Sequence, residues 1–155
     1  MKNGIIPSIR FKSGLVEFQE PLIMGIINCT PDSFHSGSRA QKNDEIESAI
    51  ARMVQEGASI LDFGGQSTRP GATQVGPQEE IDRVIKGIEI AKKNHPTVIC
   101  SIDTFYGAVA KAAIEAGAEL INDISAGSID PTILEVAAQT NTPYVLMHMQ
   151  GRPIE

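Results

Sequence analysis

Hydrophobic positions along this chain alternate between short continuous runs and longer stretches in which they recur every three or four residues. Continuous apolar runs rich in β-branched residues are typical of strands that are buried on both faces. Recurrence every three or four residues is typical of amphipathic helices. The runs predict five strands, at residues 22–27, 59–63, 97–102, 119–121 and 144–147.

Four amphipathic helices are predicted between these strands. The first is predicted over residues 44–56, with Asn43 as its N-cap and Gly57 as the residue that ends it. The second begins at Pro77, which suits a first turn because its nitrogen needs no hydrogen-bond partner there. The last is predicted over about 131–139. The apolar residues predicted to face the core are Ile46, Ala49, Ile50, Met53 and Val54, then Ile81, Val84, Ile85 and Ile88, then Val109, Ala113 and Ala116, and finally Ile133, Leu134 and Ala137.

Residues 8–18 precede the first strand and alternate weakly around a central Lys-Ser-Gly. This pattern predicts a small β-hairpin that caps one end of the domain. The strand–helix alternation that follows predicts a single α/β domain over residues 1–155, with a parallel sheet and right-handed crossovers. Two architectures remain open: a doubly wound sheet of five strands, which this length fits, and a (β/α)8 barrel, which needs about 250 residues.

Polar residues at the carboxyl ends of all five predicted strands favour the barrel. In a barrel every strand end faces the same mouth, whereas an open sheet gathers its site at one switch point. Carboxylates and amides at such a mouth suit a hydrogen-bonding heterocycle and a hard cation such as Mg2+. A single Asp there is also a common helix N-cap, so only the combination supports the prediction. The five residues are Asn28, Asp62, Asp103, Asn122 and His148.

A Gly-rich loop follows the second predicted strand, with the sequence Gly-Gly-Gln-Ser-Thr-Arg-Pro-Gly-Ala at residues 64–72. It offers backbone N–H groups, two hydroxyl groups and the guanidinium of Arg69, which can donate two parallel hydrogen bonds. This set of donors predicts a phosphate or diphosphate site, while the plainer interpretation is a loop that binds nothing. The loop is not a P-loop, since the Gly-Lys-Ser/Thr ending is missing.

Composition narrows the class of protein. The net charge of -6 argues against a nucleic-acid-binding surface. No apolar run reaches the roughly 18 residues of a transmembrane helix, and the N-terminus lacks the pattern of a signal peptide. Cys29 and Cys100 lie in or beside predicted strands, which indicates reduced thiols and a cytoplasmic protein. A nucleophilic role for Cys29 is disfavoured, because the sequence places no base beside it.

Two long motifs resemble signatures of the dihydropteroate synthase family. They are Asn-Cys-Thr-Pro-Asp-Ser-Phe at residues 28–34 and Gly-Ala-Ser-Ile-Leu-Asp-Phe-Gly-Gly-Gln-Ser-Thr-Arg-Pro at residues 57–70. Shorter segments at 101–103, 121–123 and 147–151 resemble the next three strand ends of that family. The resemblance implies a TIM barrel, of which this chain carries about the first five βα units and the N-terminal hairpin.

The same resemblance implies a step of folate biosynthesis, in which 6-hydroxymethyl-7,8-dihydropterin diphosphate is joined to 4-aminobenzoate and diphosphate is released. It implies these two small molecules as partners, a homodimer for the full-length protein, and Mg2+ as cofactor, held on the diphosphate with the help of Asn28. The implied catalytic residues are Asp103, Arg69 and Asp62. The implied substrate-binding residues are Asp103, Asn122 and Met147 for the pterin, Thr68 with Arg69 near the diphosphate, and Phe34, Ser67 and Pro70 for 4-aminobenzoate.

The sequence departs from the family pattern in two ways. Ser36 stands where the family usually has an acidic residue, which predicts either weaker ordering of the first loop or compensation by Asp32. The family barrel also continues for three further strands, which carry more contacts to the substrates and which this sequence lacks. We therefore expect exposed sheet edges, poor solubility or association, and little or no turnover by this chain alone.

Two alternative functions remain beside the synthase. One is a pterin-binding domain that handles methyltetrahydrofolate for methyl transfer, which would have no use for the Ser-Thr-Arg-Pro loop at residues 67–70. The other is a non-catalytic half-barrel that keeps partial ligand binding without chemistry. Release of diphosphate on mixing with both substrates separates the synthase from a binding module.

Overall fold

A hairpin and a five-stranded parallel sheet form the framework of the molecule. The computed structural model describes residues 6–30, 39–66 and 74–148, with the side chains of 39–42 excepted. The hairpin is antiparallel, and helices α1 to α4 alternate with strands β3 to β7 of the sheet. The elements are β1 Ser8–Phe11, β2 Gly14–Glu17, β3 Met24–Asn28, α1 Arg39–Gln55, β4 Ile60–Gly64, α2 Pro77–Asn94, β5 Ile99–Asp103, α3 Gly107–Ala116, β6 Leu120–Asp123, α4 Thr132–Thr140 and β7 Tyr144–Leu146.

The strand order decides between the two architectures that the sequence left open. The neighbours run β3-β4-β5-β6-β7, so each connection moves one place in the same direction. A doubly wound sheet reverses at its switch point, whereas a barrel does not. The described sheet is therefore of the barrel type, and the doubly wound alternative is wrong for this part of the chain.

One face of the sheet packs against the helices and forms the main core. Side chains in register across the strands share one buried cluster with the apolar stripes of all four helices. This confirms the helical periodicity that the sequence predicted. The central residues are Ile27, Phe63, Ile102 and Ile121 from the sheet and Ile50, Ile88, Val109 and Ile133 from the helices, each at most 2% exposed.

The other face of the sheet, which lines the inside of the barrel, is closed at its lower end by the hairpin. Phe11 of β1 is 3% exposed and packs in a cluster with Ile60, Ile99 and Leu120. Ile60 and Ile99 are paired at the amino-terminal ends of β4 and β5, and Leu120 of β6 lies in the next layer of side chains. The predicted capping role of the hairpin is confirmed.

Two details differ from the sequence-based expectations. The first helix begins at Arg39 rather than Asp44, so Asn43 lies inside the helix and is not its N-cap. The reason is that Arg, Ala, Gln and Lys precede Asn43, and all four are strong helix formers. Leu134 is 42% exposed rather than inward, because Ile133 takes the core position of α4 and Leu134 lies over Gly127 instead.

Both outer strands of the sheet expose apolar side chains. On β3 Ile26 is 62% exposed, and Leu146 on β7 is 68% exposed. Unpaired strand edges with exposed apolar residues favour association with another chain or segment. In the described part of the chain, no helix is long and apolar enough to cross a membrane.

Candidate functional site

Three polar side chains form one row across the carboxyl ends of the strands. Asn28 is paired in register with Gly64, Gly64 with Asp103, and Asp103 with Asn122. In-register residues of parallel strands point to the same face, so Asn28, Asp103 and Asn122 all face the inside of the barrel. The sheet thus brings together three of the predicted site residues.

Gly64 lets the side chains of Asp103 and Asn28 approach each other's strands in the middle of this row. A Cβ atom at Gly64 would lie 3.3 Å from Oδ2 of Asp103 and 3.9 Å from Oδ1 of Asn28. The space is therefore bordered by a carboxylate oxygen on one side and an amide oxygen on the other. Oxygen donors of this kind suit Mg2+ or the N–H groups of a ligand.

Asp62 lies one layer below the row, and not at a strand end as the sequence predicted. Strand β4 continues to Gly64 because Phe63 and Gly64 pair on both sides, which puts Asp62 in mid-strand. Its carboxylate is 5% exposed and accepts a 2.8 Å hydrogen bond from Nδ2 of Asn122. Asp62 thereby fixes the orientation of the Asn122 amide.

Burial and neighbouring carboxylates raise the pKa of Asp103 at this end of the sheet. Burial raises the pKa of Asp103 to about 7, and the negative charges of Asp62, Glu80 and Asp123 add to the effect. Burial also raises the pKa of Asp62, while the Ser101 hydroxyl nearby and the Asn122 amide act in the opposite direction. A bound cation or an N–H donor would stabilise the ionised form of such a buried carboxylate.

The base of the Gly-rich loop is held by residues that the sequence analysis did not single out. Gln66 contacts both Val75, at the other end of the loop, and Glu80, in the first turn of α2. Glu80 is fully buried. The sequence did carry a signal for it, because Glu80 stands four residues before Val84 and eight before Ile88 in an otherwise apolar stripe.

Several predicted site residues cannot be placed in the site. Met147 lies just after β7 and is partly buried, while His148, the fifth predicted strand-end residue, is exposed one position further on. Among the residues that the structure describes, no three His, Cys, Asp or Glu side chains are grouped to hold a metal ion. Phe34, Ser36, Ser67, Thr68, Arg69 and Pro70 lie outside the described residues.

The two cysteines are free and buried, as the sequence predicted for reduced thiols. Burial raises the pKa of Cys29 to about 12 and that of Cys100 to about 12. The thiolate is the nucleophilic form, so neither cysteine is suited to nucleophilic catalysis near neutral pH.

Comparisons with known proteins agree with this geometry. The model of a family described as pterin binding enzyme matches residues 24–155. The folic acid synthesis protein fol1 of Schizosaccharomyces pombe is 51% identical over 132 residues, which make up 85% of this chain and 18% of that protein.

Solved structures show the same likeness over nearly the whole chain. A dihydropteroate synthase of Xanthomonas albilineans with 4-aminobenzoic acid has a TM-score of 0.82 and 41% identity, covering 95% of this chain and 53% of that one. A dihydropteroate synthase of Burkholderia cenocepacia complexed with 7,8-dihydropteroate has a TM-score of 0.79 and 38% identity, covering 97% and 49%. The chain spans about half the length of these two proteins. On the family match and these likenesses, the chain belongs to the pterin binding enzyme family, and its resemblance to dihydropteroate synthases is confirmed.

Proposed function

We propose that this chain supplies the pterin and diphosphate half of a dihydropteroate synthase site. The reaction joins 6-hydroxymethyl-7,8-dihydropterin diphosphate to 4-aminobenzoate and releases diphosphate. The observation that supports it best is the row of Asn28, Asp103 and Asn122 at the barrel mouth, with Asp62 bonded to Asn122 beneath it.

The pterin would bind along the Asp103 and Asn122 end of the row. A pterin edge offers N–H donors beside acceptors, and a carboxylate next to a fixed amide is complementary to that pattern. Asp62 would act as a positioning residue, because its bond to Nδ2 of Asn122 leaves the amide oxygen to accept from the ring. Met147 would pack against the ring from the end of β7.

The diphosphate would lie at the Asn28 end of the row and under the Gly-rich loop. Thr68 and Arg69 supply a hydroxyl and a guanidinium, the donors that suit phosphate oxygens. Mg2+ would be held here with the help of Asn28, whose Oδ1 lies with the Asp103 carboxylate beside Gly64. The ion would neutralise charge on the departing diphosphate.

The 4-aminobenzoate pocket is assigned from the sequence motifs, with Phe34, Ser67 and Pro70 as its lining. The Xanthomonas albilineans relative was solved with 4-aminobenzoic acid, which supports this class of second substrate. The two loops that carry these residues follow β3 and β4, the strands that carry Asn28 and Asp62.

The chemistry favours breaking the bond to diphosphate before the new bond forms. Departure of diphosphate leaves positive charge on the pterin methylene, and the Asp103 carboxylate would stabilise that charge where it develops. Arg69 would stabilise the opposite charge on the leaving group. The weak aniline nucleophile then meets a carbon that is already electrophilic, so rates should depend strongly on the leaving group and would stay flat if this order were wrong.

Residues 1–155 would form a single domain that makes up the amino-terminal part of the barrel. We further propose a cytoplasmic protein that acts as a homodimer at full length. A methyltransferase domain of the same superfamily remains the alternative enzyme, and the Ser-Thr-Arg-Pro segment at residues 67–70 speaks against it. A half-barrel that binds ligand without turnover remains the alternative for this chain alone.

Calorimetric titration of the chain with the pterin diphosphate and Mg2+ tests the proposal. We expect binding by the wild-type chain, loss of binding in Asp103→Ala, and unchanged binding in Asp82→Ala, whose side chain is exposed on α2. Adding 4-aminobenzoate and measuring released diphosphate then separates an active synthase from a binding half-barrel. A folded wild-type chain that binds no pterin diphosphate would refute the proposed site.

A further inference from the structure

Strand β7 is the short outer strand at the pterin end of the proposed site. Its three register pairs are all with β6, and within the described sheet no strand lies on its other side. Val145 is paired in register with Asn122, so it continues the row of inward-facing residues by one more strand. Its side chain is 37% exposed, which leaves it open to contact with a ligand.

The Tyr144 side chain attaches β7 to the opposite face of the sheet. Neighbouring side chains of a strand alternate between faces, so Tyr144 lies on the helix side, where it packs against the main core. Its hydroxyl donates a 2.5 Å hydrogen bond to Oδ2 of Asp123, at the end of β6. Burial and this carboxylate raise the pKa of Tyr144, so the hydroxyl keeps the proton that it donates. Leu146, on the same face, is 68% exposed and adds little packing.

Asp123 is a fixed acceptor for this hydroxyl. Its side chain is fully buried and also accepts from the backbone amides of Ser125, at 2.7 Å, and Gly127, at 2.8 Å. The turn that these bonds hold has two left-handed residues in succession, with φ of 51° at Ala126 and 76° at Gly127. A buried carboxylate that loses its donors is costly, so Asp123 has little freedom to move. Tyr144 therefore joins the outer strand to a rigid part of its neighbour.

We propose that Tyr144, through its bond to Asp123, is a positioning residue that holds the pterin-facing outer strand β7 in place. The side chains that it places are Val145, beside Asn122, and Met147, two residues further on. The proposal rests on the proposed function, because that function assigns this end of the row to the pterin ring. The expected signature is a loss of affinity for the pterin with the affinity for diphosphate retained, since the proposed diphosphate end lies near β3 at the other edge of the sheet.

The test compares variants of the full chain. Tyr144→Phe removes the hydroxyl but keeps the ring that packs against the core. Tyr106→Phe makes the same change at the second tyrosine, whose hydroxyl lies 3.5 Å from the Val75 carbonyl oxygen, and serves as the matched control. Val145→Ala trims a side chain that Tyr144 is proposed to place. If Tyr144 acts through Val145, the double variant should lose less pterin affinity than the two single effects together predict.

Two measurements are needed on each variant. Hydrogen exchange compares the amides of β7 with those of Ser125 and Gly127, which donate to Asp123 and report whether the turn stays folded. Calorimetric titrations use 6-hydroxymethylpterin and, separately, inorganic diphosphate plus Mg2+. For Tyr144→Phe we expect faster exchange in β7 alone and about fivefold or greater loss of pterin affinity, with diphosphate affinity within about twofold. Tyr106→Phe should bind the pterin as the wild-type chain does.

The outcomes separate this proposal from the proposed function. If the wild-type chain binds the pterin and Tyr144→Phe binds it equally well, the positioning role is refuted and the proposed site stands. Equal losses for pterin and diphosphate would show a general structural defect and also refute the positioning role. So would fully additive effects of Tyr144→Phe and Val145→Ala. A wild-type chain that binds no pterin would refute the proposed function and the positioning role together, whatever the exchange in β7 shows.

Discussion

The substitution Asp103→Asn should stabilise the folded chain only at pH values above the ordinary pKa of a carboxyl group. Burial and the charges of Asp62, Glu80 and Asp123 raise the pKa of Asp103 from 3.8 to about 7. The folded chain therefore binds a proton that the unfolded chain has lost between these two values. Since the folded state binds more protons, its stability falls as the pH rises through this window.

The size of the effect follows from the two pKa values. This difference in pKa corresponds to about 4 kcal/mol of folding free energy at pH values where Asp103 is ionised in both the folded and the unfolded chain. Asp103 is only partly buried, so solvent reduces the effect, and we expect about 2–4 kcal/mol. An amide has no proton to lose here, so Asp103→Asn should be about 2–4 kcal/mol more stable than wild type at pH 8 and nearly equal to it at pH 4.

Urea denaturation of both chains at pH 4, 6 and 8 measures this difference. Asp82→Asn is the control, because the Asp82 side chain is exposed on α2 and the same chemical change there should not follow pH in this way. An Asp103→Asn advantage that is the same at all three pH values would refute the argument. So would a variant that is less stable than wild type at pH 8.

Two further predictions concern the framework of the barrel. Lys92→Met removes the partner of Glu119, which is 5% exposed, and should cost about 2–3 kcal/mol in urea denaturation, while Lys93→Met on the exposed side should cost little. Burial acts to raise the pKa of Glu119, but bonds from Ser13 and Lys92 hold it below its ordinary 4.5, so the cost should begin to decline below the unfolded value and be lost as the pH falls through the folded pKa. Gly87→Ala would put a Cβ atom 3.0 Å from two ring atoms of the Phe63 side chain and should cost about 1–2 kcal/mol despite better helix propensity, and a gain in thermal stability would contradict this.

Much of the fold could be predicted because its local signals agree with one another. Pro77 begins α2 as predicted, and Gly117 follows α3 with a φ of 118°, which a side chain would make strained. Failures came where local signals competed. Asn43 is a good N-cap, but the helix formers before it extended α1 to Arg39.

The candidate site was predicted only in part, because register is a property of strand pairing. Polar strand ends indicated Asn28, Asp103 and Asn122, but the extension of β4 to Gly64 moved Asp62 one layer down. No local pattern could show that Asp62 would bond Asn122, sixty residues away. The contact of Gln66 with Val75 could not be predicted for a similar reason, since it depends on Val75 lying next to the end of β4.

Asn28, Asp103 and Asn122 of the proposed site are fixed by the ladder of the parallel sheet, whose bonds open only with the core. Under the proposed function, the groups that we propose to bind the pterin ring would therefore be in place before any ligand arrives.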